Sequence, residues 1–525
     1  MPRLTINGKL FEVTPGTTVL EAARQNGIDI PTACFRKGLQ AVSSCMLCVV
    51  KDGTRDRLIP SCAAAVVKDM VIETDTDEVH DARRSALELL LSEHVGDCEG
   101  PCQRVCPAHM DIPLMLRTIA AGRLTEAIAT IKREIALPAI LGRICPAPCE
   151  KACRRAAYDS AVSICLLKRC AADADLARPE NYNAESAAET GRKVAIIGAG
   201  PAGLAAAWHL RCAGISCTVF EAGATAGGAL RTGPGTDRLP HSVIDAEIAL
   251  IQSLGARFEL NTRVGHDITL DAVRESHDAV IVAVGHIESK DASPFGLPAA
   301  KHGIQAAPHT FATPVEGVFA AGSAVAPTRM AVKALADGKR AAASVRQFLA
   351  GERVIGMTVP LVSVIGRLGE GEIDEFMKDA DRSARVEPAS ADNAFKHHEA
   401  IREARRCLHC DCRKVDSCVL LRLARLYGAE RQHYRGLERA LFERVTDHPL
   451  VIYEPGKCIR CGLCIRITKA ATETLGLTFI GRGFAVRVDA PLGATLRDAL
   501  RDTAGECVEA CPTGALAFRD EGWAQ

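Results

Sequence analysis

The spacing of the cysteines constrains this chain more than any other feature of its sequence. There are 23 cysteines among 525 residues, and most of them fall into tight groups. Spacings of two or three residues place several thiolates on one loop or helical turn, where they converge on one metal centre. The pattern predicts several iron–sulfur clusters, with zinc as the alternative for any single group. The groups are Cys34, Cys45, Cys48 and Cys62; Cys98, Cys102 and Cys106; Cys145, Cys149 and Cys153; Cys407, Cys410, Cys412 and Cys418; and Cys458, Cys461, Cys464 and Cys511.

Charge and hydropathy exclude several other classes of protein. Lys+Arg and Asp+Glu are both 64, so the net charge is zero and nothing favours a nucleic-acid partner. The opening residues, MPRLTINGKLFEV, contain no apolar signal region, and no apolar run approaches the roughly 18 residues of a membrane span. We therefore expect a cytoplasmic protein without direct membrane insertion, in a compartment that keeps its thiols reduced.

Residues 1–76 are expected to form a small iron–sulfur domain. The Asn7-Gly8 pair predicts a β-hairpin, and a helix is expected from Thr17 to Gln25, ended by Gly27. The loop that follows supplies the four thiolates that a [2Fe–2S] cluster needs, at Cys34, Cys45, Cys48 and Cys62. The segment resembles the N-terminal ferredoxin domain of the large iron–sulfur subunit of respiratory NADH dehydrogenase and of related hydrogenases. A four-cysteine zinc site is the alternative.

Residues 77–190 carry two further cysteine triplets. They resemble the helical domain with two [4Fe–4S] clusters in the small subunit of glutamate synthase and at the start of dihydropyrimidine dehydrogenase. That resemblance implies interleaved ligands, since one cluster in that family draws on both triplets. Carried over by position, the first cluster would use Cys98, Cys102 and Cys153, and the second would use Cys106, Cys145 and Cys149.

Each of these two clusters is then one ligand short, which is a departure from the family. His94 stands where the family usually has a cysteine, and histidine can replace thiolate at an iron site and raise its potential. The alternative for His94 is a surface histidine at a helix end. The family's polar ligand falls near Lys168, a poor iron ligand, so Cys165 is the predicted fourth ligand of the second cluster. Otherwise Cys165 and Cys170 are small buried hydrophobic residues.

Residues 191–350 begin with a nucleotide-binding pattern. A short apolar strand, Lys193 to Ile197, leads into the glycine-rich loop 198–203 and then into a helix. A second strand, Ser216 to Phe220, ends at Glu221. Glycines in this order allow a tight turn and close approach of a pyrophosphate to the helix N-terminus, and the acid binds ribose hydroxyls.

Later motifs in the same segment resemble the flavin-binding half of the glutamate synthase small subunit, which implies FAD rather than NAD. One departure is Ser323, because the family normally has an acid at that position. Cys212 and Cys217 are interpreted as packing residues of this fold. The predicted cofactor-binding residues are Gly198, Gly200, Pro201, Ala202, Gly203, Glu221, Gly228, Arg231, Gly285, Gly322 and Ser323.

The sequence also lacks a feature of that family. In the glutamate synthase small subunit, a second Rossmann unit that binds NADPH stands before the closing flavin motif. Here only about 30 residues separate Gly285 from Gly317, which is too short for a βαβ nucleotide domain. The glycine-rich string from Gly366 to Gly371 has the wrong spacing and is interpreted as a turn. We therefore expect that the chain has no NAD(P)H site of its own.

The C-terminal part combines a polar segment with two cysteine groups. Residues 351–400 are predicted to be a linker, and residues 401–425 hold a compact [4Fe–4S] or zinc group at Cys407, Cys410, Cys412 and Cys418. Residues 426–525 resemble a bacterial-type ferredoxin module, which implies that Cys458, Cys461, Cys464 and Cys511 bind one cluster. Cys507 is interpreted as a spare cysteine.

Together these segments predict a multidomain protein of the α+β and α/β classes. It would combine a β-grasp [2Fe–2S] ferredoxin, an α-helical two-cluster domain, a Rossmann-like FAD domain and a ferredoxin-like module. The cofactors would be FAD, one [2Fe–2S] cluster and up to four [4Fe–4S] clusters, with no catalytic side chain of the protein's own. The predicted metal ligands are the grouped cysteines together with His94 and Cys165.

These cofactors favour an electron-transfer subunit of an oxidoreductase complex. Its partners would be redox proteins, such as a catalytic subunit and a ferredoxin or an NAD(P)H-oxidising subunit. The alternative is a self-sufficient reductase, dependent on NAD(P)H or ferredoxin, that acts on a small substrate. A redox sensor or an assembly scaffold is a third hypothesis, which the number of clusters disfavours.

Overall fold

The computed structural model describes residues 1–182, 184–288, 294–358, 360–389, 392, 394–434, 436 and 439–519. In that part of the chain, no helix is both long enough and apolar enough to cross a membrane. The α-helices are α1 (Val19–Gln25), α2 (Asp77–Ser92), α3 (Pro101–Val105), α4 (Ile112–Ala120), α5 (Leu124–Lys132), α6 (Pro138–Ile144), α7 (Pro148–Lys151), α8 (Ile164–Leu176), α9 (Pro201–Cys212), α10 (Ala229–Thr232), α11 (His241–Ser253), α12 (Leu270–Ser276), α13 (Ala331–Leu349), α14 (Glu372–Met377), α15 (His397–Ala404), α16 (Val419–Leu426), α17 (Leu463–Ala470), α18 (Leu496–Ala499) and α19 (Ala504–Ala510). The strands are β1 (Arg3–Ile6), β2 (Lys9–Glu12), β3 (Val49–Asp52), β4 (Arg57–Pro60), β5 (Met70–Glu73), β6 (Lys193–Ile197), β7 (Ser216–Phe220), β8 (Arg257–Glu259), β9 (Ala279–Val282), β10 (Ala299–Ala300), β11 (Gly303–Ile304), β12 (Val318–Ala320), β13 (Val451–Tyr453), β14 (Thr478–Ile480), β15 (Arg487–Asp489) and β16 (Leu516–Phe518).

The chain divides into two compact units, and each is built from separate stretches of sequence. The unit that contains both ends of the sequence, called here the terminal unit, consists of Met1–Glu99, Pro360–Asp379 and His409–Gln525. The other, called the central unit, consists of Gly100–Val359 and Ala380–Leu408. The boundaries at 99/100 and 408/409 each fall inside a cysteine group, so the cysteines of one sequence motif belong to different units.

The N-terminal part of the terminal unit is a five-stranded sheet in the order β2-β1-β5-β3-β4. Asn7 and Gly8 have φ of 49° and 78°, the left-handed backbone that a two-residue hairpin requires between β1 and β2. Helix α1 begins after Thr18, whose side chain forms a capping box with Glu21. These observations confirm the predicted hairpin and helix. Leu4, Leu20 and other apolar side chains of the sheet and helix form the core.

The C-terminal part of the terminal unit holds two antiparallel strand pairs, β13–β16 and β14–β15. Helix α17 follows one cysteine loop and helix α19 precedes Cys511. Apolar side chains of these elements, including Val451, Ile467 and Leu516, pack into one core. The two cysteine-bearing loops therefore extend from one small folded layer.

In the central unit, helices α4 to α6 and α8 pack around buried side chains such as Met115, Ile128 and Leu167. Helix α15 adds Ala400 and Ala404 to the same core. The segment 351–400, predicted to be a linker, therefore contains helix α14 and the start of α15. The helices of this segment have a polar sequence because some of their carboxylates are buried, where they accept hydrogen bonds from backbone N–H groups. Glu399, for example, is buried and accepts hydrogen bonds from the backbone N–H groups of Lys396 at 2.8 Å and Ala389 at 3.3 Å.

A parallel sheet in the order β12-β9-β6-β7-β8 forms the rest of the central unit. Strands β6, β7 and β9 and helices α9 and α13 confirm the elements expected from the sequence. Helices α9 and α13 approach closely, because a Cβ on Gly338 would lie 2.0 Å from the Ala202 carbonyl oxygen. The protein is thus a mixed α/β multidomain chain with a Rossmann-like sheet.

Candidate iron–sulfur and nucleotide sites

The segment between α1 and β5, which includes strands β3 and β4, brings together all four cysteines predicted for the [2Fe–2S] site. All four thiols are buried, and none forms a disulfide. A hydrogen bond from Cys45 lowers the pKa of the Cys34 thiol to about 5, and one from Cys48 lowers the pKa of Cys62 to about 6. The charges of Cys45 and Cys34 also act on Cys48 and Cys62, respectively, so the two hydrogen-bonded pairs lie next to each other. Metals bind such thiols as thiolates. The donor set fits a [2Fe–2S] cluster.

Side chains next to this loop hold it in shape. The Ser61 hydroxyl donates to the Cys48 carbonyl oxygen at 2.7 Å, and the Ser43 hydroxyl lies 3.3 Å from the Cys62 sulfur. Ser43 and Met46 have positive φ, so the chain turns sharply on both sides of Cys45. The loop therefore folds back on itself and directs its thiols inward.

In the central unit, four cysteines surround one buried lysine. The Cys145 thiol shares hydrogen bonds with Cys165, which raise the Cys145 pKa, and Cys165 also interacts with Cys149. Lys168 is only 4% exposed, and its Nζ lies 3.9 Å from the Cys165 sulfur. Burial favours its neutral form, but the nearby sulfurs of Cys165, Cys145, Cys149 and Cys106 outweigh burial and raise the Lys168 pKa. The structure thus places Cys165 beside the three cysteines with which it was grouped.

In the structure, Cys98 lies beside two cysteines of another sequence group, while its predicted grouping with Cys102 and Cys153 stays a prediction. In the terminal unit, the Cys412 N–H donates to the Cys98 carbonyl oxygen at 3.2 Å. Burial, and then repulsion from Cys412, raises the pKa of Cys98 to about 11. Burial, and then the charges of Cys412 and Cys98, raises the pKa of Cys418 to about 12. Cys102 and Cys153, the partners expected for Cys98, belong to the central unit.

In the central unit, Cys102 and Cys153 pack against the core that includes Cys407. Two buried arginines flank this region. The Arg155 guanidinium donates to the Arg406 carbonyl oxygen at 2.7 Å. Cys410, which the sequence grouped with Cys407, belongs to the terminal unit. The compact cysteine group 407–418 is therefore divided between the two units.

His94 is buried in the terminal unit, which excludes the interpretation as a surface histidine. Its Nδ1 atom has no hydrogen-bond partner among the described residues. Burial, and then the positive charges of Lys457 and Arg431, lowers its pKa to about 3. The imidazole is therefore neutral, which is the state that ligates a metal.

The C-terminal group of four also converges. Burial, and then the neighbouring thiols of Cys511 and Cys458, raises the pKa of Cys461 to about 12. Burial, and then the neighbouring thiols of Cys461 and Cys507, raises the pKa of Cys464 as well. The Cys507 thiol is buried and donates a long hydrogen bond, 3.8 Å, to the Cys464 carbonyl oxygen. Cys507 thus supports the loop, and its interpretation as a spare cysteine stays a prediction.

Two basic residues that lie against the cysteine loops were not predicted from the sequence to have a role at these sites. Lys168 was seen only as a poor ligand, although its place three residues after Cys165 on a helix could have indicated a shared face. Arg466 in the terminal unit donates to the carbonyl oxygens of Cys34 at 2.9 Å and Cys461 at 3.1 Å. It therefore ties the N-terminal cysteine loop to the C-terminal one.

The glycine-rich loop has the close approaches of a nucleotide site. A Cβ on Gly203 would lie 1.9 Å from the Gly198 carbonyl oxygen, so only glycine fits there. A Cβ on Gly228 would lie 3.1 Å from Gly200 Cα, so the two predicted flavin loops meet. The Glu221 carboxylate accepts the Ala199 N–H at 2.8 Å. The acid at the end of β7 is thus held against the loop, where it can bind ribose hydroxyls.

The remaining predicted residues lie around the same loop. Gly322 has a φ of 66°, and a Cβ on it would lie 2.9 Å from Ala202 Cβ. The Ser323 hydroxyl donates to the Thr328 carbonyl oxygen at 3.4 Å. Arg231 is engaged elsewhere, since its Nε donates to the Ala226 carbonyl oxygen at 2.6 Å. Gly285, with a φ of 83°, ends the neighbouring strand segment, and Pro201 opens α9.

Within the described residues, no three His, Cys, Asp or Glu side chains lie as close together as ligands of a single metal ion. A cluster core of several atoms separates its ligands further than one ion does, so the thiol groups above are compared with clusters. Three family models match parts of the chain. Residues 2–77 match a 2Fe-2S iron-sulfur cluster binding domain, residues 74–179 match dihydropyrimidine dehydrogenase domain II with its 4Fe-4S cluster, and residues 196–254 match an NAD(P)-binding Rossmann-like domain.

Curated relatives are oxidoreductases. The chain is 41% identical to the beta subunit of the NADP(+)-dependent formate dehydrogenase of Moorella thermoacetica, over 36% of this chain and 30% of that protein. It is 38% identical to the dihydropyrimidine dehydrogenase subunit PreT of Escherichia coli, over 39% and 48%, respectively. It is 39% identical to the NADPH glutamate synthase small chain of Bacillus subtilis, over 35% and 38%. The match thus spans less than half of each relative.

A solved NAD+-reducing [NiFe]-hydrogenase aligns with 100% of this chain and 90% of its own, at 12% identity and a TM-score of 0.37. So low a score supports no argument about a shared fold. The relatives and family models confirm the resemblance to glutamate synthase and dihydropyrimidine dehydrogenase subunits, and the iron–sulfur and Rossmann-like domains.

Proposed function

We propose that the chain is an electron-transfer iron–sulfur flavoprotein subunit of an oxidoreductase complex. The observation that carries the proposal is a single hydrophobic core in the terminal unit. This core contains thiols from four separate cysteine groups of the sequence, represented by Cys34, Cys98, Cys418 and Cys461. Redox centres held in one packed core lie close enough together to exchange electrons. The β-grasp, helical, FAD and ferredoxin-like domain assignments belong to the same proposal.

The cofactors would supply the redox chemistry, because iron–sulfur clusters carry single electrons and a flavin accepts two. The protein's own residues would hold and tune them. Lys168 places a positive charge beside the second cysteine set of the central unit, and Arg466 joins two cysteine loops of the terminal unit. Charges and hydrogen bonds of this kind set cluster potentials.

FAD is the nucleotide that the Rossmann-like sheet favours. The glycine loop, Glu221 and the close approach of Gly228 to Gly200 form one continuous cradle. The closing element at Gly322 lies against Ala202 of the helix that follows the loop. Between residues 286 and 316, the described residues contain only the short strands β10 and β11. Oxidation of NAD(P)H would therefore belong to a partner subunit.

The second candidate is a self-sufficient NAD(P)H-dependent or ferredoxin-dependent reductase. The match of residues 196–254 to an NAD(P)-binding domain favours it. FAD and NAD(P) share an adenosine diphosphate, so a glycine loop of this kind suits both. The two functions differ in whether a pyridine nucleotide delivers electrons directly to this chain.

Partners and location follow from the same proposal. Formate dehydrogenase and glutamate synthase relatives are named as subunits or chains, which supports redox proteins as partners of this chain. A cytoplasmic location is consistent with so many reduced thiols. A catalytic subunit would lie on one side of the electron path and a ferredoxin or an NAD(P)H-oxidising subunit on the other.

An anaerobic titration of the isolated chain tests the proposal. NADH, NADPH and then dithionite are added, while flavin and iron–sulfur absorbance are followed. We expect bleaching by dithionite and none by either nucleotide. Rapid bleaching by NADH or NADPH would show the self-sufficient reductase instead, and a reconstituted chain without flavin and iron–sulfur absorbance would overturn both candidates.

A further inference from the structure

We propose that Cys98, Cys412 and Cys418, with His94 as the fourth ligand, hold one [4Fe–4S] cluster inside the terminal unit. The site would be completed by two stretches that lie on either side of the central unit in the sequence. This assignment deepens the proposed function, because it rests on the same iron–sulfur chemistry but regroups the ligands. It replaces the grouping of Cys98 with Cys102 and Cys153.

The backbone brings these cysteines together. The Cys412 N–H donates to the Cys98 carbonyl oxygen, so the two stretches are joined by a main-chain hydrogen bond at the site itself. Cys98 and Cys418 belong to one hydrophobic core. The exposures of Cys98, Cys412 and Cys418 are 8%, 7% and 8%. Three thiols shielded from water to this extent suit a cluster more than a disulfide or a surface role.

Backbone N–H groups point at two of the sulfurs. Ser363 donates to the Cys98 sulfur at 3.2 Å, and Leu421 donates to the Cys418 sulfur at 3.4 Å. Such hydrogen bonds stabilise thiolates and the negative charge of a bound cluster. The Ser363 contact comes from the 360–379 stretch, so all three stretches of the terminal unit meet at this site.

A glycine packs against the third thiol, that of Cys412. A Cβ on Gly514 would lie 2.2 Å from the Cys412 sulfur, so the Thr513-Gly514 turn packs directly against it. The Thr513 hydroxyl donates to the Lys457 carbonyl oxygen at 2.8 Å, which fixes that turn. The position of Cys412 therefore depends on the absence of a side chain at 514.

His94 completes the set from the same stretch as Cys98. It stands four residues before Cys98, is buried, and keeps an Nδ1 atom that no described residue pairs. Lys457 lies near both parts of the site: a Cβ on Gly96 would lie 2.4 Å from its Cε atom, and a Cβ on Gly514, which would touch the Cys412 sulfur, would lie 3.8 Å from its Cδ atom. A buried polar atom without a partner is costly, and coordination to iron would satisfy it.

A buried cluster with its thiolates needs a compensating charge. Lys457 is 3% exposed and forms an ion pair with Glu454, which also binds Arg444 at 2.9 Å. A Cβ on Gly514 would lie 3.8 Å from Lys457 Cδ and 2.2 Å from the Cys412 sulfur, so the ion-paired Lys457 side chain lies beside the thiols. It acts as a positioning residue and not as a ligand.

Electron paramagnetic resonance of the reduced full chain, combined with iron analysis, tests the grouping. The variants Cys98→Ala, Cys412→Ala and Cys418→Ala should each lose the same spectral component and about four iron atoms per chain. Cys102→Ala should lose a different component. Cys217→Ala is the matched control, because that cysteine is buried in the Rossmann-like sheet, and all components should remain.

Two results would overturn the proposal. One is the loss of a common component in Cys98→Ala and Cys102→Ala, with a different loss in Cys412→Ala. The other is an unchanged spectrum in Cys98→Ala. In both cases the remaining clusters would still support the proposed function, whereas a wild-type chain without clusters would refute the function itself.

His94 is tested by its replacement with a thiol. His94→Cys should keep the component and shift its potential downward, since histidine raises the potential of an iron site relative to thiolate. His94→Ala should lose the component. If both variants kept the wild-type spectrum and potential, His94 would not be a ligand, while the grouping of the three cysteines would be judged by the variants above.

Discussion

Two cysteine sets of the terminal unit, one that includes Cys48 and one that includes Cys98, differ in how far apart their members lie in the sequence. The first set comes from one short stretch of sequence, residues 34–62, in which serine hydroxyls and turns of positive φ direct four thiols inward. The second set joins Cys98 to Cys412 and Cys418, from stretches on either side of the central unit in the sequence. Spacing identifies a site when a loop closes on itself. It does not reveal a site that a compact unit would close from distant stretches, as we propose for Cys98.

The largest expected effect is on the set from one loop. Cys48→Ala should abolish the [2Fe–2S] component and leave the others, because no thiol outside the loop replaces the missing ligand. Absorption and electron paramagnetic resonance of the purified chain measure this. Cys507→Ala, a buried cysteine outside the ligand sets, is the control. A full [2Fe–2S] spectrum in Cys48→Ala would contradict the assignment.

The next effect falls on the set from distant stretches. In Gly514→Ala the new Cβ would lie 2.2 Å from the Cys412 sulfur, so the sulfur must move. We expect most of the component assigned to Cys98, Cys412 and Cys418 to disappear, while the [2Fe–2S] component stays. Gly505→Ala is a matched helical control with open space, its nearest atom lying 4.0 Å away. Equal spectra for the two variants would refute the dependence on Gly514.

A third test compares the terminal unit with the central unit. Lys168→Met removes a buried positive charge beside Cys165. A unit charge near a site of low dielectric is worth a few kcal/mol, so the potential of that cluster should fall by on the order of 100 mV. Redox titration of the individual spectral components measures this. Components of the terminal unit should keep their potentials, and a shift of those components would contradict the assignment.

The smallest expected effect concerns one hydrogen bond. Ser363→Pro removes the N–H that donates to the Cys98 sulfur at 3.2 Å. The potential of the cluster at Cys98 should fall by on the order of tens of millivolts, since hydrogen bonds to sulfur raise cluster potentials. Ser363→Ala keeps the N–H and should keep the potential. Equal potentials for Ser363→Pro and the wild type would show that this hydrogen bond does not affect the cluster potential.

Local signals predicted the local structure. The Asn7-Gly8 turn, the helix after Thr18 and the strand–glycine loop–helix at 193–212 all form as expected, because each depends on neighbouring residues. The structure also brings Cys165 beside Cys145, while its role as the fourth ligand stays a prediction.

Long-range features escaped prediction. The partners of Cys98 depend on contacts with Cys412 and Ser363, and no spacing rule spans that distance. The helices at 372–377 and 397–404 were missed because buried, hydrogen-bonded carboxylates such as Glu403 dilute their apolar pattern.

The discontinuous terminal unit also has a consequence for biosynthesis. On the ribosome, Cys98 emerges long before Cys412, and domains generally fold as units during synthesis. The thiol of Cys98 must therefore stay reduced and unligated while the whole intervening sequence is made. We expect iron loading at this site to wait until residue 418 has been made, so that it follows the synthesis of the whole central unit.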